Sequence, residues 1–168
     1  MVTLHPLTPV DLPELIAANR ASAALHHPWV NPPVSPDAFD AAFEDIAAER
    51  QVTLLAREVG TSALSGVLNL SQIFRKGFQN AYLGFYGLTG QTGRGLMTKA
   101  VRQTLAHAFG PLALHRIEAN VQPGNTRSRA LIARAGFRQE GFSPRYLQIE
   151  GEWRDHERWA CLAEDFAA

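Results

Sequence analysis

With 168 residues, 46% of them hydrophobic, the chain can bury one ordinary core, and a single domain over residues 1–168 is expected. Sixteen basic residues balance sixteen acidic ones, so the broad positive field of a general nucleic-acid binder is missing and no direct nucleic-acid partner is expected. No run of about 18 apolar residues could span a bilayer and the first residues form no apolar leader, which predicts a cytoplasmic protein without a membrane partner.

Val2–Leu7 reads as a short strand, and Thr8 then stands as N-cap to a helix in which Pro9, Leu12, Leu15 and Ile16 recur at helical spacing up to about Ala24. His26-His27-Pro28-Trp29 and Pro32-Pro33 predict a loop. Ser35-Pro36-Asp37 predicts the start of a second helix carrying Phe39, Phe43 and Ile46. From Gln51 the pattern turns to β-rich runs, Val52–Val59, Leu64–Ile73 and Asn80–Leu88, separated by turns at Gly60-Thr61 and Lys76-Gly77. A four-residue apolar repeat from Leu96 to Phe109 predicts a helix that Gly110-Pro111 ends. His115–Val121 reads as a strand, Asn125–Ala135 as a helix closed by Gly136, and Phe137–Ile149 and Trp153–Leu162 as two strands joined at Glu150-Gly151. Along the last of these, Trp153, Asp155, Glu157, Trp159 and Cys161 should share one face, and Cys161 reads as a small buried apolar residue. The order predicts a mixed α/β (α+β) fold, a mostly antiparallel central sheet of about seven strands flanked by about four helices.

Thr89-Gly90-Gln91-Thr92-Gly93-Arg94-Gly95 lies where a strand gives way to an amphipathic helix. Its glycines permit close backbone approach, and successive N–H groups at a helix start, with the positive end of the macrodipole, suit a pyrophosphate. Arg94 would add a mobile positive charge. The same residues would equally serve a plain strand-to-helix turn. A dinucleotide-binding fingerprint fits poorly because no repeating βαβ unit follows, and the phosphate loop of nucleotide hydrolases is excluded because no Gly-Lys-Ser/Thr is present.

About 30 residues beyond this loop comes Asn125-Thr126-Arg127-Ser128-Arg129-Ala130-Leu131-Ile132-Ala133-Arg134-Ala135-Gly136-Phe137. The pairing resembles the GNAT N-acetyltransferase superfamily, in which a Gln/Arg-x-x-Gly-x-Gly/Ala loop holds the coenzyme A pyrophosphate and an Asn-x-x-Ala/Ser-x-x-Leu helix flanks the pantetheine arm. Gly93 and Gly95 supply the loop's glycines, and Gly90 stands where Gln or Arg is usual. Gly95-Leu96-Met97, His115–Asn125, Tyr146-Leu147-Gln148-Ile149, Gly151 and Trp153-Arg154-Asp155-His156 carry a closer resemblance, to the branch containing the RimJ and RimL ribosomal-protein N-terminal acetyltransferases. It covers most of the chain.

The resemblance implies acetyl-CoA as co-substrate and no metal. Phe85, Tyr86, Gly87, Leu88, Gly90, Gln91, Thr92, Gly93, Arg94, Gly95, Leu96 and Met97 would contact it, with Asn125 and Ser128 from the later helix. A backbone N–H near Tyr86 or Gly87 would steady the oxyanion. Phe85 and Tyr86 also read as ordinary sheet packing, and Asn125 as a helix N-cap. Many superfamily members carry a proton-donating tyrosine at the position of Ile132, where isoleucine cannot donate. In the RimL-like branch a serine matching Ser128 serves, so Ser128 is the first candidate general acid and Tyr146 the second. The glutamate that RimL resemblance would suggest as base falls on Leu147. Asp155 or Glu157 could accept the amine proton through water, or pair with Arg154, Arg158 or Arg145 as structural ions.

The function so implied is acetyl transfer to a primary amine, first a protein N-terminal α-amine of the ribosomal-protein kind, by direct transfer in a ternary complex without an acyl-enzyme. The alternatives are a small-amine acetyltransferase acting on a polyamine, amino acid or antibiotic, and a non-catalytic acyl-CoA-binding module. Acceptor choice should sit in the first two helices and the loop from His26 to Ser35, with Trp29, Pro32 and Pro33 as possible walls. His26-His27 has no carboxylate or cysteine at ligand spacing, so no metal is expected there. Monomer and homodimer are both compatible with the sequence.

Overall fold

In the computed structural model, which describes residues 1–167, the alternating segments form seven strands of one sheet. They are β1 (Val2–Pro6), β2 (Val52–Glu58), β3 (Leu64–Phe74), β4 (Asn80–Gly87), β5 (Arg116–Val121), β6 (Arg138–Ile149) and β7 (Glu152–Leu162). Their spatial order is β1-β2-β3-β4-β5-β7-β6, and every pairing is antiparallel except β4 with β5. That parallel pair needs a crossover, and α4 (Leu96–Phe109) supplies it.

Adjacent strand residues face opposite sides, so the sheet divides the apolar side chains between two layers. Leu68, Leu70, Ala81 and Ile117 pack beneath α4 and α5 (Thr126–Ala135) with Val101, Leu105 and Ile132. Leu55, Val67 and Tyr86 look the other way, toward Leu15, Ile16 and Phe39 of the N-terminal helical segments. Gly66 on β3 lets α4 seat closely: a Cβ there would stand 2.6 Å from the Tyr86 carbonyl and run into the Met97 sulfur.

Several expected elements differ in detail. The first helix is two pieces, α1 (Leu12–Ala21) and a single turn α2 (Ala23–His26), broken at Ser22. Ser35 does not cap the second helix; a 3-10 turn, Asp37–Phe39, precedes α3 (Asp40–Ala47). β6 is interrupted: its register on β7 runs from Ser143 opposite His156 directly to Leu147 opposite Arg154, so Pro144, Arg145 and Tyr146 bulge out opposite Asp155. The shared face expected along β7 is therefore kept by Glu157, Trp159 and Cys161, which sit opposite Val121, Ala119 and Ile117, while Asp155 turns to the bulge. Gly136 does end α5 in the left-handed region, at φ +110°. No helix among the described residues is long and apolar enough to cross a membrane.

Candidate active site

β4 and β5 pair only from Asn80–Tyr82 to Arg116–Glu118, and beyond Tyr82 they diverge. Residues 83 to 87 therefore lose their partner on that side. The Leu88 N–H donates to the Ser65 carbonyl on the β3 side at 3.1 Å. Since hydrogen-bonding residues alternate along an antiparallel pair, Tyr86 and Leu88 direct their groups to β3, whereas Phe85 and Gly87 turn N–H and C=O toward the open edge. Of the two expected oxyanion donors, the free N–H is thus Gly87's; that of Tyr86 is engaged in the sheet.

The open edge runs into the glycine loop. Gly90, Gly93 and Gly95 have φ of +82°, +76° and +72°, and Gly95 is the N-cap of α4 in the left-handed region. A Cβ at Gly93 or Gly95 would meet nothing within 4 Å, so these positions demand glycine for conformation while space stays open around them. No side chain caps α4, so its first N–H groups are left pointing at that space. These features fit a diphosphate. Arg94 departs from expectation: its guanidinium is bound to both carboxylate oxygens of Glu58 and to Gln91 Oε1 at 2.7 Å, so it is a tethered charge. The same pairing holds the Glu58 carboxyl below the usual carboxylate range.

Across the opening, Asn125 caps α5, its Oδ1 accepting the Ser128 N–H at 3.1 Å. This arrangement gives the expected cap, worth about 1 kcal/mol, and leaves the half-buried Ser128 on the first turn. Ile132, one turn on, is completely buried. Glu157 does not pair with the β7 arginines. It reaches α5, where Arg129 Nε donates at 2.8 Å, and it also accepts the Trp159 indole N–H at 3.0 Å.

The other two expected catalytic residues meet on β6 and β7. Asp155 Oδ1 accepts the Arg145 backbone N–H at 2.7 Å, which fixes the bulge, and Arg145 has φ +49°. Tyr146, at the end of that bulge, lies 6.2 Å from the His156 ring. Burial holds the Tyr82 phenol above its usual value, with the Glu118 carboxylate and then Tyr146 adding to the shift. His156 is buried, with Nδ1 3.0 Å from the Arg154 carbonyl, and burial lowers its pKa below the usual 6.5.

The N-terminal segments meet the site at the end of β4, through His26 and Ser22. A cavity of about 170 Å³ lies among Asn19, Ala23, His26, Val30, Pro32 and Glu150. Trp29 lies elsewhere, with its ring 3.2 Å from where a Gly124 Cβ would stand, just ahead of α5. Pro33 contributes its carbonyl, which accepts the Asn19 side-chain N–H at 2.8 Å. His26, expected at the start of a loop, instead closes α2, and neither it nor Ser22 carries a sequence signal for the contacts they make. The fold buries both against the end of β4.

The description "acetyltransferase (GNAT) domain" matches residues 1–138. The chain belongs to the GNAT acetyltransferase family. It is 41% identical over 102 residues to a probable N-acetyltransferase, YjcK, of Bacillus subtilis, covering 61% of this chain and 56% of YjcK. It is 40% identical over 101 residues to the ribosomal protein uS5-alanine N-acetyltransferase of Escherichia coli, covering 60% of this chain and 52% of that enzyme. The matched stretches span about half the length of these relatives. Among solved GNAT structures, Mycobacterium smegmatis RimJ in complex with CoA-disulfide superposes with a TM-score of 0.89 at 30% identity, covering 99% of this chain and 84% of that one.

Proposed function

We propose that this GNAT protein transfers the acetyl group of acetyl-CoA to a primary amine, the acceptor being a protein N-terminal α-amine such as that of a ribosomal protein. The observation that carries the reading is the juxtaposition of the unpaired β4 edge at Phe85 and Gly87 with the uncapped, glycine-shaped start of α4. Bound there, acetyl-CoA supplies an acyl group already activated as a thioester. The amides from Gly93 to Met97 hold its diphosphate through hydrogen bonds and the helix dipole. Phe85 and Gly87 continue the sheet along its arm in the place that β5 leaves free.

For the chemistry, the Gly87 N–H is the donor that this edge offers to a carbonyl oxygen gaining negative charge. Ser128, on the first turn of α5, donates the proton to the departing sulfur, and Tyr146 on the β6 bulge is the second candidate. Asp155 is the carboxylate left at the solvent side to take the amine proton through water. Glu157, held by Arg129 and Trp159, keeps β7 against α5. The acceptor enters between the N-terminal helices and the β6–β7 turn.

Thiol release from acetyl-CoA, followed with peptides that begin with Ala or Ser and with a panel of small amines, tests this reading. Peptide-dependent release that leaves the enzyme unlabelled is expected. Binding of coenzyme A with no release for any amine would replace catalysis by a sensing role, and stable labelling of Cys161 would replace direct transfer.

A further inference from the structure

His26 occupies a position that neither the fold nor the family accounts for. Its Nε2 lies 2.9 Å from the Gly87 carbonyl, on the edge of β4 that β5 has left. A carbonyl can only accept, so Nε2 carries the hydrogen and, in the neutral ring, Nδ1 is a lone-pair acceptor. The residue is 4% exposed, and its ring is wedged edge-on against Tyr86 with centroids 5.0 Å apart at 72°. One turn earlier, the buried Ser22 Oγ accepts the Thr89 N–H at 3.0 Å. Two successive turns of the helical segment thus clamp the last residue of β4 and the first of the cofactor loop.

We infer that His26 is a positioning residue, fixing and masking the Gly87 carbonyl so that the neighbouring Gly87 N–H alone faces the reacting carbonyl, and sensing the acceptor through its other nitrogen. The inference rests on the acetyltransferase reading. Its physical basis is local. Gly87 N–H and C=O turn to the same edge, and an uncovered carbonyl oxygen there would repel the negative charge that the N–H is meant to stabilise. Glycine has no side chain to restrict rotation between those two groups, so an outside contact must hold the second peptide. The Nε2 hydrogen does both.

The other nitrogen has no partner among the described residues. His26 Nδ1 is buried without a partner, and His26 lines the 170 Å³ cavity; Asn19 lines it too, with its side chain in hydrogen-bonding reach of the Tyr86 hydroxyl. Asn19 is 1% exposed and its amide donates to the Pro33 carbonyl at 2.8 Å, so it has partners of its own. A buried acceptor calls for an N–H or O–H donor. The donor is a second, non-reacting hydrogen-bonding group of the acceptor amine, such as a backbone amide of an N-terminal peptide.

The test compares His26→Gln, whose side-chain amide can still donate to Gly87, with His26→Leu, which cannot. The first readout needs no turnover: the Gly87 amide proton, followed by NMR in the unliganded protein, should keep its shift in His26→Gln and change it in His26→Leu. The second is the carbonyl stretch of bound isotope-labelled acetyl-CoA without amine, which should move toward the solution value in His26→Leu only. With peptide present, His26→Leu should lower kcat about tenfold at unchanged KM for acetyl-CoA, and His26→Gln should recover most of it while the peptide KM stays raised. An unchanged Gly87 amide and unchanged carbonyl stretch in His26→Leu overturn the inference. If the parent protein acetylates no amine, the functional reading fails by itself, and the amide and carbonyl signals still decide the part played by His26. Should His26→Leu fail to fold, His26→Met, close in volume and without a donor, takes its place: an unchanged Gly87 amide shift with an unchanged peptide KM overturns the inference.

Discussion

The two halves of the candidate site are built differently. The cofactor side, from Phe85 to Met97, is one unbroken stretch whose features are mostly backbone: an unpaired strand edge, three positive-φ glycines and an uncapped helix start. The acceptor side is drawn from two distant stretches, Asn19 to His26 and Tyr146 to Asp155, and it depends on side-chain contacts such as Asp155 with the Arg145 amide and His26 with the Gly87 carbonyl. A backbone site tolerates most side-chain changes and fails at glycine. A side-chain site fails piecemeal, one contact at a time.

The sharpest way to break that contrast is Gly93→Glu. The substitution forces a side chain into a left-handed conformation, worth about 1–2 kcal/mol of strain, and sets a carboxylate where the diphosphate is to lie. Calorimetry should show coenzyme A affinity reduced by about 100-fold or more in a protein that still unfolds cooperatively. Equal affinity in parent and variant would mean that the cradle lies elsewhere and that the catalytic assignments built around it lapse.

The same contrast explains what was legible in the sequence. Much that is set by neighbours a few residues apart could be read, the Ser35 cap excepted: the strand-to-helix glycine loop, the Asn125 cap, the Gly136 stop, and the Glu150-Gly151 turn, whose residues have φ of +49° and +81°. Features that depend on distant partners could not. Nothing near Arg94 announces Glu58, 36 residues earlier. The carboxylate of Glu157 faces α5 because β7 lies beside β5, an order that local periodicity does not contain. Likewise, the β6 bulge exists because Asp155 holds an amide across the pair, and the alternation of Phe137–Ile149 gave no warning of it.

That bulge offers a smaller test on the acceptor side. Asp155→Ala removes the acceptor for the Arg145 amide and, with it, the contact that presents Tyr146. Stability should fall by about 1 kcal/mol, because the bond is exposed and water replaces part of it. Steady-state rates should show kcat for peptide acetylation down about tenfold while coenzyme A affinity stays within a factor of two. A joint loss of both would show that the two halves are one mechanical unit.

The weakest expected effect concerns His156, beneath Tyr146. Burial lowers its pKa from the usual 6.5, while the Arg154 carbonyl and the Asp155 carboxylate pull the other way. A histidine whose native pKa is depressed is neutral in the fold and takes up a proton more readily when unfolded. Its favourable contribution is therefore complete above about pH 6.5 and is lost as pH falls below it, since the unfolded chain then binds the extra proton. Replacing it by Gln removes that titration. Urea unfolding at pH 7.5, 6.5 and 5.5 should show the parent losing more stability on acidification than His156→Gln. Parallel losses would assign the acid sensitivity to other groups and leave His156 as a packed side chain supporting the Tyr146 bulge.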